Sequence, residues 1–102
     1  MHAFDVLGDP VRRRILEYLT EGEMTSGKIV ETVGAEFRIS QAAVSQHLKV
    51  LRDNGFAQSR VNGSQRIYKI QPDRFGEIDD WLARFRNLWS EGLDDLASEV
   101  EN

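Results

Sequence analysis

The stretch SQAAVSQHLKVLRDNGF, residues 40–56, decides the fold. Ser40 is a favourable N-cap because its hydroxyl accepts a hydrogen bond from a free first-turn N–H, and Gly55 suits the left-handed residue that ends many helices. An apolar stripe at i, i+4 and i+7 is formed by Val44, Leu48 and Leu51. The stretch therefore predicts a helix over residues 40–54 with one face in the core.

The opposite face of this helix has small and hydrogen-bonding side chains near its start and cations further on. Its residues are Gln41, Ala42, Ser45, Gln46, Lys49 and Arg52. A helix that enters a DNA major groove needs this arrangement, with a slim polar first turn at the base edges and positive charge near the phosphates. An ordinary amphipathic helix with a solvated face is the alternative, and the helix alone leaves both open.

Two short extended runs follow the helix, at residues 57–61 and 65–70. Asn62-Gly63 lies between them and is a strong hairpin signal, because both residues tolerate positive φ. The hairpin is basic through Arg60, Arg66 and Lys69. A basic hairpin directly after such a helix is typical of the wing of a winged helix, so we predict a wing over residues 57–70. A solvated surface hairpin is the alternative.

The upstream region predicts two further helices. Asp9 and Pro10 begin the first, with aspartate as N-cap and proline at the first helical position. The second begins at Thr25 or Ser26 and extends to about Val33, and residues 34–39 form a short connector. This helix and the helix over residues 40–54 describe a helix-turn-helix.

A long helix is predicted over residues 72–100, with apolar side chains at alternating steps of three and four. Besides the interface residues named below, the stripe includes Leu88, Leu93, Leu96 and Val100. One small domain cannot cover this surface, although each large side chain buried would contribute about 1.5–3 kcal/mol. We therefore predict a two-fold homodimer in which the helix pairs with its copy. The predicted interface is Phe4, Leu7, Phe75, Ile78, Trp81, Leu82, Phe85 and Trp89; a small-molecule pocket is the less favoured interpretation.

Length and charge suit one DNA-binding domain over residues 1–102. The net charge is −4, yet residues 38–69 carry six basic side chains against one acidic, while residues 71–102 carry three against nine. Because screening limits charge interactions to about 8–10 Å, the basic part can face DNA while the acidic part points elsewhere. For Arg12–Arg14, a solvated surface with ion pairs is favoured over DNA contact. No apolar run or basic leader suggests a membrane span or signal peptide, so a cytoplasmic location is expected.

The order of elements resembles the ArsR-type (ArsR/SmtB) family of bacterial winged-helix repressors. The resemblance covers roughly residues 4–70 and is carried by LGDPVRRRIL at 7–16, ISQAAVSQHLKVL at 39–51, Gly55, Gly63 and Tyr68. It implies a mainly α fold with a small β-hairpin, namely a winged helix-turn-helix with a long C-terminal dimerisation helix. It also implies a homodimeric, sequence-specific repressor that binds double-stranded DNA at an inverted-repeat operator.

The resemblance further implies roles for individual residues. Base reading falls to Gln41, Ala42, Ser45 and Gln46, with Gln46 the strongest candidate because glutamine can bond adenine at two points. His47 and Lys49 are implied in phosphate or base-edge contacts, and Arg60 and Arg66 in backbone or minor-groove contacts. For His47, a packed histidine that hydrogen-bonds within the helix-turn-helix is an equal alternative.

No metal site, cofactor or catalytic site is predicted. Many members of the resembling family sense metals through cysteines or through ligands on the last helix, whereas this chain has no cysteine and its histidines are His2 and His47. The adjacent Asp79 and Asp80 point about 100° apart on a helix and cannot close a site alone. An enzyme is disfavoured because neither a Gly-rich phosphate loop nor a recognisable nucleophile–base spacing occurs.

Two other functions stay open at this level. The chain could serve as a winged-helix protein-interaction module, or as an autorepressor controlled by a partner and lacking its own ligand. Salt-dependent retention on heparin is expected of a DNA-binding protein and not of an interaction module. Whether a small-molecule or protein inducer exists is not determined by the sequence.

Overall fold

The computed structural model describes the backbone of residues 1–101 and the side chains of residues 1–92. Its helices and strands are α1 (Ala3–Leu7), α2 (Pro10–Leu19), β1 (Met24–Thr25), α3 (Ser26–Phe37), α4 (Gln41–Asp53), β2 (Ala57–Asn62), β3 (Gln65–Ile70) and α5 (Phe75–Glu101). The predicted fold class, mainly α with a small β-hairpin, is confirmed, and the hairpin belongs to a small antiparallel sheet. Within residues 1–101, no helix has the length and hydropathy needed to span a bilayer.

Helix α4 begins and ends as the sequence predicts. The Ser40 hydroxyl accepts from the Ala43 N–H at 3.1 Å. At the other end Gly55 has φ +78°, and the N–H of Phe56 donates to the Leu51 carbonyl at 2.9 Å. These contacts satisfy backbone groups that the helix itself leaves unpaired, as in a Schellman C-cap.

The core lies where α2, α3 and α4 meet the sheet. The α4 stripe of Val44, Leu48 and Leu51 is buried, as predicted. Side chains from the neighbouring elements complete the core; the largest of those that are completely buried are Val6, Ile15, Leu19, Ile29, Val33 and Phe56. The burial of one face of α4 fixes which of its side chains point away from the core.

Helix α3 is longer than predicted. Residues 34–39 were expected to be a connector after about Val33, but the helix continues to Phe37 and only Arg38 and Ile39 leave it before the Ser40 cap. The extra turn is held by tertiary contacts, because Phe37 packs against the core and Glu36 accepts from Arg14 at 2.9 Å. Arg38 ends the helix in the left-handed region at φ 55°, a conformation that glycine usually adopts.

The sheet has a third strand that the sequence did not predict. The strand order is β1-β3-β2, and all pairs are antiparallel. Strand β1 has two residues, with Met24 opposite Tyr68, and is too short to show an alternating pattern. The predicted turn at Asn62-Gly63 is shifted by one residue: Asn62 pairs with Gln65, and positive φ occurs at Gly63 and not at Ser64. This pattern matches a type II′ turn.

Helix α5 begins three residues later than predicted. Pro72 opens a turn, and the helix starts at Phe75. Arg74 in that turn donates to the Asn54 carbonyl at 2.8 Å and to Glu77 at 2.7 Å, and its guanidinium lies 5.0 Å from the centre of the Phe56 ring. The start of α5 is thereby attached to the end of α4. Leu93, Leu96 and Val100, predicted on the apolar stripe, lie outside the residues whose side chains are described.

Truncation of the α4 stripe should destabilise the fold. We expect Leu51→Ala to lower the free energy of unfolding by about 2–5 kcal/mol, because Leu51 is fully buried and the substitution leaves a cavity. Val61→Ala is the matched control: Val61 is 65% exposed, so a change within about 0.5 kcal/mol is expected. Urea denaturation followed by circular dichroism measures both, and equal losses would contradict the assignment of the core.

Candidate nucleic-acid interface

Four polar or small side chains form the outer face of α4: Gln41, Ala42, Ser45 and Gln46. All four residues are exposed and lie outside the buried stripe. Within the described residues, none of their side chains is hydrogen-bonded to another part of the chain. Their amide and hydroxyl groups are therefore available to an external donor or acceptor.

The cation that follows on the same helix is paired. Lys49 Nζ donates to Asp53 Oδ2 at 2.8 Å, and Arg52 Nε lies 3.6 Å from Asp53 Oδ1. The hydrogen bond from Lys49, with the nearby charges of both cations, lowers the pKa of Asp53. Because Lys49 and Asp53 are solvent-exposed and Arg52 is only half-buried, the pairs are weak and can exchange for another anion.

His47 of α4 is half-buried and faces the start of α2. Its Nδ1 lies 3.4 Å from an Arg12 guanidinium nitrogen and 3.9 Å from Asp9 Oδ1. Guanidinium only donates, so the Arg12 contact is a hydrogen bond when Nδ1 carries no proton. This geometry supports the packed-histidine alternative for His47, in which Nδ1 faces the junction with α2.

The Asp-Pro-x-Arg segment connects three helices at this junction. Asp9 caps α2 by accepting from the N–H groups of Val11 at 2.8 Å and Arg12 at 3.2 Å. Arg12 donates to the carbonyls of Val6 at 2.7 Å and Asp5 at 2.9 Å, at the end of α1. One motif thus attaches α1 to α2 and places both beside His47 on α4.

The arginine run at 12–14 combines two roles. Arg14 pairs with Glu36, as the favoured ion-pair interpretation expects. Arg13 donates to the Leu7 carbonyl at 2.7 Å, and Arg12 likewise bonds carbonyls of α1. Sequence reasoning missed these carbonyl contacts. The sequence did contain a signal for them. Arg12 and Arg13 follow α1 by only a few residues, and the last carbonyls of a helix have no partner within it.

The two wing arginines have different surroundings. Arg60 on β2 makes a paired contact with Glu23, with N···O distances of 2.8 and 2.9 Å, which lowers the pKa of Glu23 and raises that of Arg60. Arg66 on β3 donates to the hydroxyl of Ser59 across the hairpin at 3.0 Å. The Glu23 partner was not foreseen, and Arg60 must exchange it to contact any other anion.

A second exposed surface lies on α1 and α5. It comprises Phe4, Trp81, Leu82, Phe85, Leu88 and Trp89, hereafter the aromatic surface. Phe4 packs edge-on against Trp81 with ring centres 5.0 Å apart, and Trp81 lies 4.7 Å from Phe85. Trp89 is 68% exposed. The remaining predicted interface residues, Leu7, Phe75 and Ile78, instead pack partly against the core of the same chain.

Histidine and acidic side chains are the candidate metal ligands of this chain, which has no cysteine. In the part of the chain that the structure describes, no three such residues come close enough to hold an ion. Asp79 and Asp80 lie on exposed positions of α5, and Asp79 contacts Arg86.

Among known protein families, residues 9–59 match the family described as bacterial regulatory protein, arsR family. The HTH-type transcriptional regulator Rv2034 of Mycobacterium tuberculosis is 31% identical over 100 residues, which cover 98% of this chain and 87% of that protein. The transcriptional repressor SdpR of Bacillus subtilis is 30% identical over 86 residues, which cover 84% of this chain and 91% of that protein. The crystal structure of the transcriptional repressor BigR from Xylella fastidiosa aligns with a TM-score of 0.61 at 29% identity, over 80% of each chain.

The Asp9 junction should make stability depend on pH. Partial burial opposes ionisation, but the N–H groups of Arg12 and Val11 and the charges of His47 and Arg12 outweigh it and lower the pKa of Asp9. The lowered pKa means that this stabilisation is present above the unfolded value near 3.9 and is lost as pH falls through the folded value. Asp9→Ala should cost about 0.5–2 kcal/mol at pH 7 and show a shallower loss of stability below about pH 4 than the wild type.

Asp9→Asn separates the cap from the charge. Asparagine caps helices as well as aspartate does, so the free energy of unfolding of this variant should be close to that of the wild type at pH 7. Below about pH 4 the variant should lose stability less steeply than the wild type, as Asp9→Ala does. Urea denaturation at several pH values measures the effect. If both variants lost stability at low pH as steeply as the wild type does, Asp9 would make no contribution to the pH dependence.

Proposed function

The chain belongs to the arsR family of bacterial regulatory proteins and is a DNA-binding transcriptional regulator, and we propose that it acts as a homodimeric repressor of an inverted-repeat operator. In this proposal α4 is the recognition helix within residues 40–54, the hairpin at residues 57–70 is the wing, and the helix within residues 72–100 makes the dimer. Regulators of chromosomal DNA act in the bacterial cytoplasm, which we propose as the location.

The observation that carries the proposal is the outer face of α4. Its four side chains are small or polar and exposed, and in the part of the chain that the structure describes they make no internal hydrogen bond. The first turns of the helix can therefore approach base edges. We assign base reading to Gln41, Ala42, Ser45 and Gln46. Gln46 is the strongest candidate for a two-point contact with adenine.

Backbone contacts are assigned to the cations around this face. Lys49 and Arg66 are the strongest candidates, because their present partners, an exposed carboxylate and a hydroxyl, are easily exchanged for a phosphate. Arg60 requires exchange of Glu23, which a phosphate can displace only at some electrostatic cost. His47 contacts Arg12 and Asp9 through one ring nitrogen, and in this proposal it mainly supports α4.

The aromatic surface supports a homodimer with a second copy of the chain. A contiguous exposed apolar surface that is rich in aromatic side chains is typical of a protein–protein interface. Leu7, Phe75 and Ile78 would contribute from beneath this surface. Two recognition helices related by a two-fold axis would be spaced about 34 Å apart, or a multiple of that, so that each reaches one half-site.

We propose neither metal sensing nor catalysis. The absence of cysteine removes thiolate ligands, and no cofactor is invoked. The relatives described above are named regulators and repressors, in keeping with a non-enzymatic role. The proposal leaves the inducer open, whether a small molecule or a protein partner.

Selection of bound sequences from a random DNA pool tests the proposal. We expect a two-fold symmetric motif from the wild type. Gln46→Ala should lose about 1–3 kcal/mol of discrimination at one base pair of each half-site, because only that contact is removed. Gln71→Ala, which removes a glutamine near the start of α5, is the matched control and should select the wild-type motif. Enrichment of no motif by the folded dimer would favour the protein-interaction alternative, and an unchanged preference in Gln46→Ala would remove Gln46 from the base-reading residues.

The dimer assignment is tested on α5. Trp89→Glu places a charge on the aromatic surface and should weaken the dimer by about 30-fold or more, since truncation of interface tryptophans costs about 2 kcal/mol or more. Asn87→Glu adds the same charge about 200° around the helix and should leave the dimer intact. Sedimentation equilibrium measures both. Dimers of equal affinity in the two variants would locate the interface elsewhere.

A further inference from the structure

A cleft opens between the recognition helix and the wing. It has a volume of about 300 Å³, enough for a phosphodiester group with water. Its polar lining comes from three elements, namely Ser26 of α3, Ser45, Lys49 and Arg52 of α4, and Arg66 and Tyr68 of β3. We call these residues the basic cleft, and we propose that it binds one phosphate of the DNA backbone in each half-site. The inference rests on the proposed function and deepens it.

The lining consists of hydrogen-bond donors. Three of the six residues are cations and three carry hydroxyl groups, and no lining residue in the described part of the chain is acidic. Asp53 lies beside the cleft and pairs with Lys49 and Arg52, so the local charge is two positive. A tetrahedral anion with several acceptor oxygens matches this donor set better than a base edge, which presents donors as well as acceptors.

Tyr68 is held so that its hydroxyl can donate into the cleft. The residue is 4% exposed, and its oxygen lies 3.4 Å from an Arg52 guanidinium nitrogen. Guanidinium only donates, so the tyrosine oxygen accepts this bond and keeps its own hydrogen for another acceptor. Arg52 and Tyr68 therefore form a pre-oriented donor pair, which lowers the entropy cost of binding an anion.

The position of the cleft favours backbone phosphate over a separate anion. Ser45 belongs both to the cleft and to the outer face of α4, while Arg66 belongs to the wing. A phosphate bound there would flank the base pair that Ser45 faces and would fix the register of α4 in the groove. Tyr68 and Ser26 are new assignments, and Arg52, a cation of the α4 outer face, is now assigned to one particular phosphate.

Salt dependence of operator binding tests the assignment. Because the homodimer loses one phosphate contact in each half-site, Arg52→Gln should lower the slope of log Kd against log salt by about 2. It should weaken operator binding by about 100- to 10,000-fold, with the selected motif unchanged. Tyr68→Phe keeps the buried ring and loses one hydrogen bond in each half-site, so it should weaken operator binding by about 5- to 100-fold. Arg84→Gln removes an exposed cation from α5 and should change neither quantity. Circular dichroism and urea denaturation establish that each variant is folded.

Neutralised phosphates locate the contact. Methylphosphonate substitution at each operator phosphate in turn should identify one position per half-site that weakens binding of the wild type more than it weakens binding of Arg52→Gln. An effect of the same size in both proteins at every position would overturn the assignment, as would an unchanged salt slope in Arg52→Gln. A wild type that binds no duplex would instead refute the proposed function, so the two failures are distinguishable.

Inorganic phosphate separates the two sources of this anion. If the cleft serves the DNA backbone, phosphate should release the operator no more than chloride does at equal ionic strength. Release by micromolar phosphate that is lost in Arg52→Gln would assign the cleft to a free anionic effector and overturn the backbone proposal.

Discussion

Burial of Val44, Leu48 and Leu51 fixes the rotation of α4 about its own axis, and the rest of the binding surface depends on this rotation. Each residue of a helix turns about 100° from the last, so a buried stripe determines which residues face outward. The Ser40 cap and the turn at Gly55 set where the helix begins and ends. A change that rotated the helix would move all four outer-face side chains together.

Two arginines connect this helix to the segments that carry the aromatic surface. Arg12 binds the last carbonyls of α1 and touches His47, while Arg74 binds the Asn54 carbonyl and Glu77 at the start of α5. Helix α4 is therefore attached at its middle to the N-terminal segment and at its end to α5. In a dimer made by α1 and α5, the separation of the two recognition helices would follow from these contacts.

Local chemistry made most of the fold predictable. The caps at Asp9 and Ser40, the glycine at Gly55 and the stripe on α4 involve residues at most a few positions apart, and the structure has all of them. The features that were missed depend on distant residues: β1 pairs Met24 with Tyr68, and Arg60 meets Glu23. Helical periodicity likewise located the outer face of α4. It does not show which cations are already paired, because that depends on neighbours brought together by folding.

Both tryptophans of the chain, Trp81 and Trp89, lie on the aromatic surface, while the buried aromatic residues of the described core are Phe56 and Tyr68. Tryptophan fluorescence therefore senses the environment of α5 and not the packing of the winged-helix core. Circular dichroism, by contrast, follows the helices as a whole. Coincidence of two such probes is the usual evidence for two-state unfolding. In this protein, a difference between them would separate subunit dissociation from melting of the core without any introduced label.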